Sequence, residues 1–194
     1  MNEQELYHKI YKTKEQLSNL LSEHWQLYSN TETWFFWFNL ATIVIPLIVL
    51  YFTVDRKRLF EISFFGYSIH VLWTTISSYL TSHNYFNMVH SISDVLPQGI
   101  TVSAVLFPVT FMLIYQYCTN NGKNFYLYFI IGTFIFAFGY GFFTDAIGLL
   151  RMHKGMNLFY LFLIDTAVIL IAYGATNIFR KIKYSQSEED SNAD

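Results

Sequence analysis

One cysteine, three prolines and few charges set the outer limits of this 194-residue chain. Cys118 alone can close no intrachain disulfide and build no thiolate metal cluster, so it reads as a packing residue and says nothing of the redox compartment. Charged residues make up 13% of the chain, against about 25% in ordinary soluble domains. The formal net charge of −2 gives no basic footprint for nucleic acid. A Gly-rich phosphate loop, a nucleophile elbow and an HExxH pair are all missing, which removes the common signatures of enzymes and leaves no cofactor implied. The histidines His83 and His90, with Asp94 in the same loop, lack compact zinc spacing, so no metal site is expected there.

What is abundant is apolar: 53% of residues are hydrophobic and 20% aromatic. Five long runs, approximately Phe35–Thr53, Leu59–Leu80, Ile100–Cys118, Phe125–Leu149 and Asn157–Phe179, each approach the roughly 20 residues a helix needs to cross about 30 Å of hydrocarbon. They predict an all-α integral membrane bundle of five transmembrane helices over 34–183. Residues 1–33 precede it as an amphipathic interfacial helix, with Leu6, Ile10, Leu17, Leu20, Leu21, Trp25 and Tyr28 recurring at helical spacing. Met1 to Thr33 carries charges throughout, so no cleavable signal peptide is expected. Trp34 and Trp37 fit an aromatic anchor at the membrane interface. From residue 184 the acidic tail lacks periodicity and reads as disordered.

Lysine and arginine near the runs set an expected orientation. Arg56, Lys57, Arg58, Lys123, Arg180, Lys181 and Lys183 fall on one side, with only Arg151 and Lys154 close to the other. Their asymmetry predicts an outside N-terminus and a cytoplasmic C-terminus. Counting the more distant Lys9, Lys12 and Lys14 narrows that margin. The expected partners are the lipid bilayer and a second copy or another membrane protein, while any small-molecule or ion ligand stays unspecified. No internal repeat divides the chain into inverted halves, which argues against a monomeric transporter.

The segments "FWFNLATIVIPLIVLYFTVDRKRLFEISFFGY" (Phe36–Tyr67), "FPVTFMLIYQYCTNNGKNFYLY" (Phe107–Tyr128) and "KGMNLFYLFL" (Lys154–Leu163) together resemble a family of small, uncharacterised multi-pass membrane proteins of endospore-forming bacteria. The resemblance implies a bacterial cell membrane setting and no particular activity.

Polar residues inside the runs are the candidate site. Asp165 sits in "LFLIDTAVIL", where a central carboxylate costs about 2.5–3.5 kcal/mol on insertion scales and each central Leu, Ile, Phe or Val returns about 0.3–0.6. Ten such residues between Leu158 and Ile171 let the run insert, but a lipid-facing carboxylate stays unfavourable. The second run places Ser63, Tyr67, His70, Thr74 and Ser77 on one helical face, and His70 becomes the expected partner of Asp165. Three outcomes stay open: a static interhelical bond, a proton- or ion-responsive site, or no contact between the two. Asn39 and Asp145 complete the candidate intramembrane set; Asp145 is expected to pair with Arg151 or meet water. Glu61 reads as an end charge beside Lys57 and Arg58. Thr133, Ala137, Gly141, Thr144 and Gly148 form a small-residue face suited to close helix packing. Pro46 and Pro108 are expected to kink their helices.

Overall fold

In the computed structural model the described residues are 1–191, with side chains through Lys183. Residues 184–191 of the acidic tail, expected to be disordered, continue a helix in their backbone, while their side chains and all of residues 192–194 lie outside the described residues. Helix α1 (Glu3–Tyr28) opens with a reciprocal cap in which Asn2 accepts from the Glu5 amide and Glu5 accepts from the Asn2 amide. The bundle follows: α2 (Trp34–Thr53), α3 (Leu59–Ser82), α4 (Phe107–Asn120), α5 (Phe125–Phe134), α6 (Phe142–Ala146) and α7 (Leu158–Ser191). A π-helical turn, Val102–Leu106, leads into α4, and another, Ile135–Gly141, joins α5 to α6. A short antiparallel ladder pairs β1 (Phe86–Met88) with β2 (Leu150–Met152), tying together the two loops at one end of the bundle.

The all-α class is therefore as expected, with a minor β ladder added. Among the described residues four helical stretches are long and apolar enough to cross a membrane: Trp34–Thr53, Val102–Asn120, Phe125–Ala146 and Leu158–Lys183. Helix α3 has the length, 24 residues, but its serines, threonines and His70 dilute its apolarity. Several of those hydroxyls bond back to their own helix, Ser68 to Phe64, Thr75 to Val71 and Ser78 to Thr74, so they leave the ladder intact. Far from peripheral, α3 packs between α4 and α7 and buries Ile62, Phe65, Ile69 and Trp73.

Two ends can be named by their contents. At the basic end Gln116 donates to the Thr53 carbonyl and accepts from the Asp55 amide, and Asn120 donates to Asp55, so the end of α2 and the end of α4 lie together. At the loop end Asn39, near the start of α2, donates to the His90 carbonyl. Helix α3 thus returns across the bundle in the direction opposite to α2. A segment of 24 helical residues is about 36 Å long at 1.5 Å per residue, enough to match the helices beside it.

Close packing is paid for by small residues. A Cβ built on Gly66 would overlap the side chain of Met112, so the lack of one at position 66 lets Met112 of α4 lie against α3. The small-residue face of the fourth run is buried at Thr133, Ala137, Gly141 and Thr144, as its sequence predicts, and Thr133 reaches Thr166 on α7 at 3.4 Å. Cys118 is buried and free, consistent with a packing role. By contrast α1 buries none of its residues: Leu6, Ile10, Leu17 and Leu20 remain exposed along its apolar face.

Candidate functional site

Pro108 arranges the first part of the site. In the π turn before it the Phe107 amide bonds to the Val102 carbonyl, five residues back. The next bond in that register would join residue 108 to the Ser103 carbonyl, but proline has no N–H to give. His70 of α3 fills that place, its Nδ1 lying 3.1 Å from the Ser103 oxygen and donating to it in the Nδ1–H tautomer. So the proline expected to kink its helix stands just after a π-helical turn, and His70 supplies the missing donor from a neighbouring element.

That engagement corrects the expected His70–Asp165 contact. Among the described residues no hydrogen bond or ion pair joins them. Asp165, 2% exposed on α7, instead lines a cavity of about 50 Å³ walled by α3, α6, α7, both π turns and the strand ladder. Trp73 and Ser77 arrive from α3, Ser103 from the first π turn, Ala137 and Tyr140 from the second, and Phe86 and Leu150 from the strand ladder. Asp165 Oδ1 and Tyr140 Oη are both buried without a hydrogen-bond partner in the protein. Such orphans are uncommon in folded interiors, and two of them line this one space. Both π turns also line it, in keeping with the tendency of π turns to occur at functional sites.

A second, more polar recess of about 200 Å³ lies toward the loop end, lined by Thr74, Ser78, Thr81, Pro97 and Gln98. Ser77 and Ser103 belong to both spaces. The buried carboxyl therefore has hydroxyl-bearing neighbours leading toward the loop end. Toward the basic end the bundle is filled by Phe65, Phe111, Tyr115, Phe129 and Ile169, all fully buried or nearly so.

The remaining candidates separate from Asp165. Asn39 is buried as a clamp, donating to the Phe35 and His90 carbonyls and accepting from Thr101. Asp145 is half-buried on α6, and no ion pair with Arg151 is found among the described residues, which leaves the solvated carboxylate of the two expected alternatives. The polar stripe of α3 also divides: Ser63 and Tyr67 are exposed, whereas Thr74 and Ser77 reach the recess. Tyr140 was not singled out by sequence, although a phenol beside Gly139 and Gly141 in the small-residue segment was its available signal.

Glu61 gathers more partners than its position beside Lys57 and Arg58 suggests. Arg58 contacts it at 2.6 Å, Tyr115 donates its hydroxyl to the same oxygen, and Arg180 of α7 stands 3.9 Å away. Arg58 also donates to Thr119 and Asn120 at 2.7 and 2.5 Å. These contacts join the starts and ends of α3, α4 and α7 at the basic end.

At the loop end, His90 stacks on Phe35 with ring centroids 3.6 Å apart, and its Nδ1 lies 3.0 Å from the Ser29 hydroxyl. Burial, together with the neighbouring His24 ring, holds the His90 imidazole below its ordinary range, against a hydrogen bond that the ring donates to the Tyr28 backbone carbonyl. No group of three or more metal-ligating side chains occurs among the described residues.

No family model, curated protein or solved structure matches this chain. The cavity sets an acceptor and a phenol, both without a partner in the protein, around a space with room for one or two water molecules at about 30 Å³ each. That volume suits a proton, water or a small cation rather than an organic substrate.

Proposed function

We propose that this chain is a non-enzymatic multi-pass membrane protein with a sensing or regulatory role, whose responsive element is Asp165. The coarser part stands on the four apolar helices long enough to cross a membrane. Five crossings are proposed because α3 returns between the same two ends as α2. The proposed setting is a bacterial cell membrane, with the N-terminus outside and the basic end cytoplasmic. A second copy or another membrane protein is the proposed partner that reads the response.

The observation that carries the reading is the pairing of two orphaned polar atoms in one small cavity approached from one end. A space with polar access on one side and a filled aromatic core on the other suits occupancy more than conduction. The occupant we assign is a proton or small monovalent cation at Asp165. The test is thermal melting and tryptophan emission of the purified protein in lipid from pH 5 to 8, with and without sodium or ammonium ions. Trp73, in the cavity wall, gives the local signal. Wild type should show a transition that Asp165→Asn removes and His70→Gln retains, since His70 serves the Ser103 carbonyl instead. Matching profiles for wild type and Asp165→Asn would overturn the reading.

A small transporter or channel subunit is the second reading, favoured by Ser77 and Ser103 bridging the polar recess to Asp165. It requires a path through the core at Phe65, Phe111 and Tyr115. Ion flux into proteoliposomes that Asp165→Asn abolishes would favour it over sensing.

A further inference from the structure

The basic end carries a groove of about 440 Å³ between the start of α3 and the later part of α7. Among the described residues Lys57, Arg58, Arg180 and Lys183 line it beside one carboxylate, Glu61, together with the aromatic rings of Phe60, Phe64 and Phe179. The cations are not equivalent. Arg58 is committed to Glu61 and to two side chains of α4, while Arg180 has only the longer 3.9 Å approach to Glu61. The Lys57 ammonium is in no hydrogen bond or ion pair found among the described residues, and Lys57 is exposed. Leaving Lys183 aside, Lys57, Arg58 and Arg180 face the one carboxylate Glu61 among the described lining residues, a surplus of positive charge that favours an anion.

The aromatic wall narrows which anion. Phe60 is 86% exposed and Phe179 59%, and Phe64 meets Phe179 with ring centroids 5.0 Å apart. Phe60 and Phe179 belong to helices that run into the apolar body of the bundle, so the same groove offers charge at its mouth and hydrocarbon-compatible surface alongside. Free phosphate would use only the cations. A molecule with a phosphate and acyl chains would use both walls.

We propose that this groove binds an anionic phospholipid, with Lys57 and Arg180 on the headgroup phosphate and Phe60 and Phe179 along the first part of the acyl chains. Arg58 keeps the groove in shape by holding Glu61, and is a positioning residue. The site is independent of the Asp165 cavity, with which it shares no lining residue.

The test uses the purified full chain in a neutral detergent and native mass spectrometry, titrating phosphatidylglycerol, phosphatidylcholine or inorganic phosphate. Wild type should bind phosphatidylglycerol at least tenfold more tightly than phosphatidylcholine. At about 1 kcal/mol per surface cation, Lys57→Gln should weaken phosphatidylglycerol about fivefold, and adding Arg180→Gln should bring it close to phosphatidylcholine. Lys181→Gln, which removes an exposed cation that does not line the groove, should change affinity less than twofold. Where the double variant does not fold, Lys57→Gln decides alone, because it removes no side-chain contact found within the protein. Equal affinity for the two lipids, or an unchanged preference in Lys57→Gln, would overturn the proposal. Inorganic phosphate that displaces phosphatidylglycerol at equal concentration would overturn the lipid assignment in favour of a free-phosphate site.

Discussion

Replacing Asp165 with leucine should make the protein more stable while removing its response to protons and cations. Asp165 Oδ1 is buried with no protein partner, and an unsatisfied buried polar group costs about 1–3 kcal/mol. Leucine removes that cost and occupies part of the 50 Å³ cavity. Filling it completely would add about 1.2 kcal/mol at about 24 cal/mol per Å³, an upper bound because the space is irregular. The two effects share a sign, and a net gain of about 2 kcal/mol is the expected outcome. For a chain of this length that corresponds to a rise of about 4–8 °C in melting temperature. The assay is thermal unfolding in lipid bicelles, followed by tryptophan emission, with Asp165→Asn as the control that keeps a polar side chain of similar size. Asp165→Asn should stay within about 1 kcal/mol of wild type. A melting temperature for Asp165→Leu several degrees below wild type would refute the reasoning, because it would mean that the carboxyl holds the bundle together. The trade expected here, stability gained as the response is lost, is the usual relation at sites kept for function.

Other outcomes follow from separate contacts. His90 is held below its ordinary imidazole range near 6.5, so the folded state resists its protonation. Stability of the loop end should therefore be complete above about pH 6.5 and decline as pH falls toward the lower folded value, and His90→Gln should flatten that dependence in hydrogen exchange of α1. Gly66→Ala should cost about 1–3 kcal/mol through overlap with Met112, and Met112→Ala should recover part of it in a double-mutant cycle. Tyr115→Phe removes a hydroxyl bond to the Glu61 carboxylate and should lower stability by about 1.5–3 kcal/mol in the same melting assay. With Cys118 replaced, a cysteine at position 57 should resist an impermeant reagent in intact cells; preferential external labelling would reverse the proposed orientation.

The helices were legible because each depends on a contiguous property of the chain. An apolar run of about twenty residues declares itself without knowledge of its neighbours, and the expected Phe35–Thr53 and observed Trp34–Thr53 differ by one residue. Helix α3 shows where this reasoning weakens: its length and position were evident, but its polar content leaves it outside the helices apolar enough to cross a membrane on composition. Asp165 was legible as a buried carboxyl because burial follows from the cost of facing lipid. Its surroundings were not. The rhythm that placed His70 on a face with Ser77 could not say which helix that face meets, and the π turns shift the phase on which such reasoning relies. The strand ladder and the Arg180 approach to Glu61 join residues far apart in sequence, with no local spacing to announce them.

Pro108 and His70 lie 38 positions apart, yet they spell one word: a backbone acceptor loses its donor in the first and recovers one in the second. Each letter alone is therefore a poor guide to its own importance. Pro108→Ala would restore an amide able to reach back along the helix, after which the imidazole is redundant and can drift to leucine at little cost. In the proline background the same drift strands the Ser103 carbonyl inside the bundle. The tolerated identities at position 70 are thus conditional on position 108, and a chain descending from this one would cross between the two spellings most easily by losing the proline first.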